Sequence, residues 1–167
     1  MVLAMESRSS GWSGHETALL YDELQDFDGW IDYLIARGIK RVVLAGASMG
    51  SLSAARYQSI RQHPNVVGIA HLMPTADCPE WFRAAAGEPY DEAVAAAEAA
   101  VADGDGETYL VDVDIRQPPP SLSRGRFRWT QRAASWLSWW GPDADSYTIA
   151  CIAAAEVLLL LLLGTTD

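Results

Sequence analysis

The segment Arg41-Val42-Val43-Leu44-Ala45-Gly46-Ala47-Ser48-Met49-Gly50-Ser51-Leu52 constrains this chain more than any other. A short β-branched apolar run leads into Gly-x-Ser-x-Gly, which opens directly into helix-forming sequence. Glycines on either side of a serine let the chain reverse closely enough to hold the hydroxyl out at the tip of a strand-to-helix turn. That is the geometry a nucleophilic serine needs. The same pattern also makes a tight turn with no chemistry, since small residues are abundant here; the strand before it and the helix after it favour the nucleophile.

The neighbouring segments set this turn in an α/β frame. Leu20, Leu24, Phe27, Ile31 and Leu34 recur at steps of four and three, one face of an amphipathic helix that Ser13 and Glu16, at capping-box spacing, begin and Gly38 ends. Asp22, Glu23, Asp26, Asp28 and Asp32 fall mostly on the other face and read as solvated carboxylates rather than a metal site. The strand is expected over Arg41 to Ala45, and the helix after the turn runs to about Gln62, where His63-Pro64-Asn65 stops it. Val66 to Leu72 is a further apolar run, and Val2 to Met5 reads as a short strand entering a polar loop. Strands and helices alternating with short connections predict an α/β fold, a mostly parallel sheet with helices on both faces. Ligands of such sheets bind at the carboxyl ends of the strands, where Ser48 would stand.

From Pro74 to about Ser146 the rhythm changes. An alanine-rich helix over Tyr90 to Ala102 ends at Asp103-Gly104-Asp105-Gly106, Thr108 to Ile115 alternates like an exposed strand, and Pro118-Pro119-Pro120 is a rigid connector. A cationic, aromatic helix follows, with Trp129, Ala133, Trp136 and Trp140 on one face and Trp139 just off it. Such a stripe serves core packing, or, in a segment inserted over a sheet, the ceiling of an apolar substrate pocket. The domain reading is therefore a core at 1–77, a cap or lid insertion at 78–148, and a returning core strand with its loop at 149–167. Ile149 to Leu163 is apolar except for Glu156. At well under the about 20 residues a bilayer span needs, it is expected as a parallel strand buried on both faces.

Composition narrows the function classes. With 12 basic against 22 acidic residues, the formal charge of -10 repels phosphate backbones and excludes nucleic acid as a partner. Cys78 and Cys151 are far apart and lack metal-ligand spacing, so both are expected as reduced packing residues, with no metal and no cofactor implied. The N-terminus lacks the basic start and apolar run of a secretory signal, which makes the expected address cytoplasmic.

Taken in order, the first strand, the loop Arg8-Ser9-Ser10-Gly11-Trp12-Ser13, the acidic helix, Val42 to Gly50, and Leu161-Leu162-Leu163-Gly164-Thr165-Thr166-Asp167 resemble the middle of an α/β-hydrolase. The resemblance covers most of the chain, loosely in the insertion. It implies Ser48 as nucleophile, the backbone amide of Met49 as half of an oxyanion hole, Gly46 and Gly50 as the elbow glycines, and Asp167 as the acid. Ala47 stands where relatives often carry histidine, at a position that does no chemistry. The implied substrate is a small ester-like acyl compound with an apolar part, to which the tryptophans Trp129, Trp136 and Trp140 would contribute.

In the family the histidine follows the acid, and an earlier His-Gly loop supplies the second oxyanion amide. The present sequence contains neither, which leads to the expectation of a fragment or truncated product. His15, His63 and His71 come too early and are expected in structural or surface roles. Without the base the serine is a poor nucleophile, and one missing oxyanion donor costs about 3 kcal/mol of transition-state stabilisation. A non-catalytic interaction module is the alternative. A parallel sheet without its outer strands would also leave unpaired edges, a route to aggregation.

Overall fold

The computed structural model describes residues 2–9, 14–115 and 127–164. In chain order its elements begin with α1 (Gly14–Thr17), a 3-10 turn (Leu20–Asp22), α2 (Glu23–Ala36), β1 (Val42–Ser48), α3 (Met49–Arg61) and β2 (Val66–Pro74). They continue with α4 (Cys78–Ala86), α5 (Pro89–Ala102), β3 (Leu110–Ile115), β4 (Phe127–Arg132), α6 (Ala133–Trp140), α7 (Thr148–Ala154) and β5 (Leu158–Leu162). The chain forms two compact units. The first takes Met1–Glu6, Asp22–Asp77 and Ser146–Asp167; the second takes Ser7–Tyr21 and Cys78–Asp145.

The first unit is α/β. Its three strands pair in the order β1-β2-β5, and both pairings are parallel. Parallel neighbours need crossovers. The helix α3 makes the first, between β1 and β2, and α7 precedes β5. The apolar stripe of α2 (Leu24, Phe27, Ile31) packs with Ala54 and Tyr57 of α3 and with Ala155 on Val42, Leu44, Val66 and Ile69 of the sheet. Each large side chain in this cluster contributes about 1.5–3 kcal/mol by leaving water. The stop expected after Gln62 has a clear cause: Gln62 is left-handed, and its side chain donates to the Ala154 carbonyl at 2.7 Å, tying the end of α3 to α7.

Several expectations are corrected here. All three helices lie on one face, because β1 alternates buried and exposed positions and its second face, with Val43 60% exposed, is uncovered. With three strands and three helices, the unit has spent every helix on a single layer. Val2 to Met5 forms no strand; Met5 instead packs against the apolar cluster of the first unit. β5 is a parallel strand as expected, but it is an edge strand, and its five leucines are all exposed rather than buried on both faces. Glu23 is not a solvated carboxylate: it is buried and accepts a 2.6 Å hydrogen bond from the Ser53 hydroxyl.

The second unit is built around aromatic rings. β3 and β4 pair antiparallel, from Leu110 opposite Arg132 to Ile115 opposite Phe127, and Val111, Val113 and Ile115 face inward. Trp129 therefore lies on a strand, not on the helix expected for it; α6 begins only at Ala133. It still meets Trp140, at 5.1 Å between ring centroids, because Gln131 accepts from both indole N–H groups. Phe82 of α4, a helix not anticipated from sequence, is fully buried against Tyr90, Trp129, Trp136 and Trp140. The residues before α2, expected as part of one continuous helix, divide instead between α1 and the 3-10 turn. They are held in this unit by the Ala18 carbonyl, which accepts from Ser135 and Trp139, and by the Leu20 amide, which donates to Ser138.

Candidate active site

The turn between β1 and α3 is strained at its serine. Ser48 has φ 50° and ψ -120°, a region that costs a non-glycine residue of order 1–3 kcal/mol and that persists only where the surroundings over-determine it. Its side chain is exposed, at the carboxyl end of β1. Two features hold the strained turn. The α-hydrogens of Gly46 face the backbone of Gly50 so closely that a Cβ there would fall on the Gly50 carbonyl and lie 2.6 Å from the Ser51 nitrogen. The buried Ser51 hydroxyl, one turn into the helix, donates back to the Gly46 carbonyl at 2.5 Å.

Beneath this, Ser53 bridges Glu23 of α2 and, at 3.3 Å, the Met49 carbonyl, so the first turn of α3 is fastened to both a strand and a second helix. Met49 opens that helix, at its positive end. The structure thus brings Gly46, Ser48, Met49 and Gly50 together in the first unit. The two glycines are not equivalent: at Gly50 an added Cβ would meet nothing within 4 Å.

The adjacent strand is disturbed at the same level. The register slips between Ala47 and Ser48, which pair with Leu72 and Pro74, and the skipped residue Met73 has φ 46° and is 63% exposed. A bulge of this kind re-aims the chain beside a site. It places a flexible apolar side chain at the strand end next to Ser48, a feature that nothing in the local sequence marks.

The histidines are distributed differently. His63 holds the turn from α3 to β2, where its Nδ1 accepts from the Asn65 amide at 3.2 Å; this is the amino end of β2, opposite to Ser48. His71 is paired in register with Gly46 but is buried, and neither ring nitrogen has a hydrogen-bond partner. Desolvation pushes it below its ordinary pKa, so it is held neutral. His15 lies on α1, in the second unit. Asp167, the expected acid, lies outside the described residues, as do Ser10 to Ser13 and Pro118 to Pro120.

Trp136 and Trp140 are interior residues of the second unit, and Trp129 is half-buried on β4. Their rings pack against Phe82, which makes them core. Cys78 and Cys151 are free thiols, the first buried. Among the described residues no group of three His, Cys, Asp or Glu side chains could hold a metal ion, and no helix is long and apolar enough to cross a membrane.

What the first unit defines is a parallel α/β layer with a strained serine at the carboxyl end of a strand. The chain matches no protein-family model, and no curated protein or solved structure is significantly similar to it.

Proposed function

We propose that the chain is a serine hydrolase of the α/β-hydrolase type, cleaving an ester or related acyl bond through an acyl-serine intermediate. The backbone of Ser48 carries this reading. A serine at φ 50°, ψ -120° with its side chain in solvent is strained without serving the core, and such strain belongs to sites. The strand order supports it as well. β5, two strand spacings from β1 (about 10 Å), points its carboxyl end to the same edge, and the sequence there runs on to Asp167.

In this reading the Ser48 hydroxyl attacks the acyl carbonyl, and its proton passes to an imidazole that the Asp167 carboxylate orients. Charge developing on the carbonyl oxygen faces the amide of Met49 and the positive end of α3. The leaving group departs with the proton, and water then cleaves the acyl-serine by the reverse sequence. His63 is engaged at the far end of β2 and His71 is neutral and buried without a polar partner, so neither histidine of the first unit supplies that imidazole in the arrangement described.

The test is covalent. A fluorophosphonate probe, followed by peptide mass spectrometry, is expected to mark Ser48 slowly, as a strained serine that neither His63 nor His71 activates, and Ser48→Ala abolishes the label while leaving the circular dichroism spectrum unchanged. A folded chain in which Ser48 stays unmodified at saturating probe refutes the hydrolase reading and leaves the non-catalytic module in its place.

A further inference from the structure

We infer that β5 is an interface between two copies of this chain, joined about a two-fold axis at Leu160 into a continuous six-stranded sheet. Of the strand's two backbone edges, one pairs with β2 and the other pairs with nothing among the described residues. An open edge of this length normally carries a charge, a proline or a bulge as protection. This one carries only leucine from 158 to 163, with exposures between 47% and 77%.

The exposure extends to both faces. Leu159 and Leu161, which lie in register with Ile69 and His71 on the helix-covered face, are as open as Leu160 and Leu162 on the other. A partner strand at this edge would therefore find apolar contacts above and below it. At about 180 Å² per fully accessible leucine, the six residues expose on the order of 600 Å² per copy, of which edge pairing covers a part, so the contact is smaller than the about 800 Å² per partner of a standard stable interface and the dimer is expected at the weak end of that range. Exposed Met73, at the end of the neighbouring strand, extends the patch.

The sequence also selects the pairing direction. In a parallel pairing of two such strands Glu156 would stack on its own copy, a repulsion added to a chain charge of -10. In the antiparallel pairing centred on Leu160, Glu156 lies opposite Gly164, and every pair between is apolar. That arrangement is isologous and closed, so the edge is consumed rather than propagated. It accounts for an all-leucine edge that would otherwise template open-ended association. The inference is independent of whether Ser48 reacts.

The experiment uses the full chain. Sedimentation equilibrium is expected to give twice the 18.2 kDa chain mass, and Leu160→Lys, which sets like charges against each other at the axis, is expected to raise the dissociation constant roughly 100-fold. Because that variant can fail to fold, Leu160→Cys gives the second measurement: mild oxidation is expected to yield a 160–160 disulfide dimer, whereas Leu162→Cys, whose partner is Leu158, yields none. A wild-type monomer, species that grow without limit on concentration, a monomer that floats with phosphatidylcholine vesicles, or equal cross-linking at 160 and 162 each overturns the inference.

Discussion

The two glycines of the elbow are identical in sequence logic and opposite in structure, which makes their alanine variants a direct test of how the turn is held. In Gly46→Ala the new methyl would occupy the position of the Gly50 carbonyl, with the Ser51 nitrogen at 2.6 Å. These are main-chain atoms, so no rotamer change relieves the clash; the first turn of α3 must move away from β1. Overpacking of this kind costs about 1–3 kcal/mol, and separating the helix from the strand also strains the Ser51–Gly46 hydrogen bond, worth about another 1 kcal/mol. The expected loss is about 2–4 kcal/mol, which lowers Tm by roughly 5–12 °C in a chain of this size. In Gly50→Ala the methyl meets nothing within 4 Å, φ is ordinary, and the residue is in a helix, where alanine is favoured over glycine by about 0.5–1 kcal/mol. That variant is expected to be neutral or slightly more stable. Thermal melts followed by circular dichroism at matched pH check both, with fluorophosphonate labelling as a readout of the turn itself. A Gly46→Ala protein within about 0.5 kcal/mol of wild type, or Gly50→Ala damage equal to that of Gly46→Ala, would refute the packing argument.

Ser48→Gly is expected to stabilise the fold by about 1 kcal/mol, because glycine adopts φ 50° without strain, while Ser48→Ala keeps the strain and gains nothing; melting temperatures separate them. His71 binds its proton less readily folded than unfolded, so its contribution to stability is complete above pH 6.5 and is lost as pH falls below it. His71→Leu should remove that part of the slope in urea titrations taken on either side of pH 6.5. The Tyr57 hydroxyl, held protonated by burial and by its 2.9 Å bond to Asp28, makes a charge-assisted contact, and Tyr57→Phe is expected to cost about 1–2 kcal/mol by urea denaturation.

What could be read from sequence was local. The run from Val42 to Gln62 folds as its own residues dictate, with a β-branched strand, a small-residue turn and a helix closed by a left-handed residue. The apolar face of α2 is equally self-contained. α4 carries local signals of its own: Pro79 stands in its first turn and Gly87, at φ 72°, closes it. Local pattern does not decide where a distant partner does. The steps of four, three and four that put Trp129 on a helix are real, but β3, whose Val113 pairs with Trp129, claims that segment as a strand. Six leucines in a row state that β5 is apolar and leave open whether a layer covers it. Burial belongs to the neighbour, not to the run.

The same distinction applies to the site. A Gly-x-Ser-x-Gly pattern specifies that a tight turn is possible, and half of it is enough: Gly46 is required by the approach of Gly50, whereas Gly50 has room for a side chain. What makes the turn strained at Ser48 is non-local. The register slip against Pro74 and the bulged Met73 displace the strand end, and Ser51, Ser53 and Glu23 clamp the start of α3 from below. Two of those groups, the Glu23 carboxylate and the Ser53 hydroxyl, are buried and hydrogen-bonded to each other, and the hydroxyl also reaches the Met49 carbonyl, so losing this link loosens the start of α3 by about 1 kcal/mol. The strain is thus supported by interactions that only the folded first unit supplies. A short peptide spanning Arg41 to Arg61 should therefore not hold Ser48 at positive φ, however well its helix forms. NMR couplings in that peptide that report φ 50° at the serine would show the elbow to be a property of the motif alone and would remove Glu23 and Ser53 from its explanation.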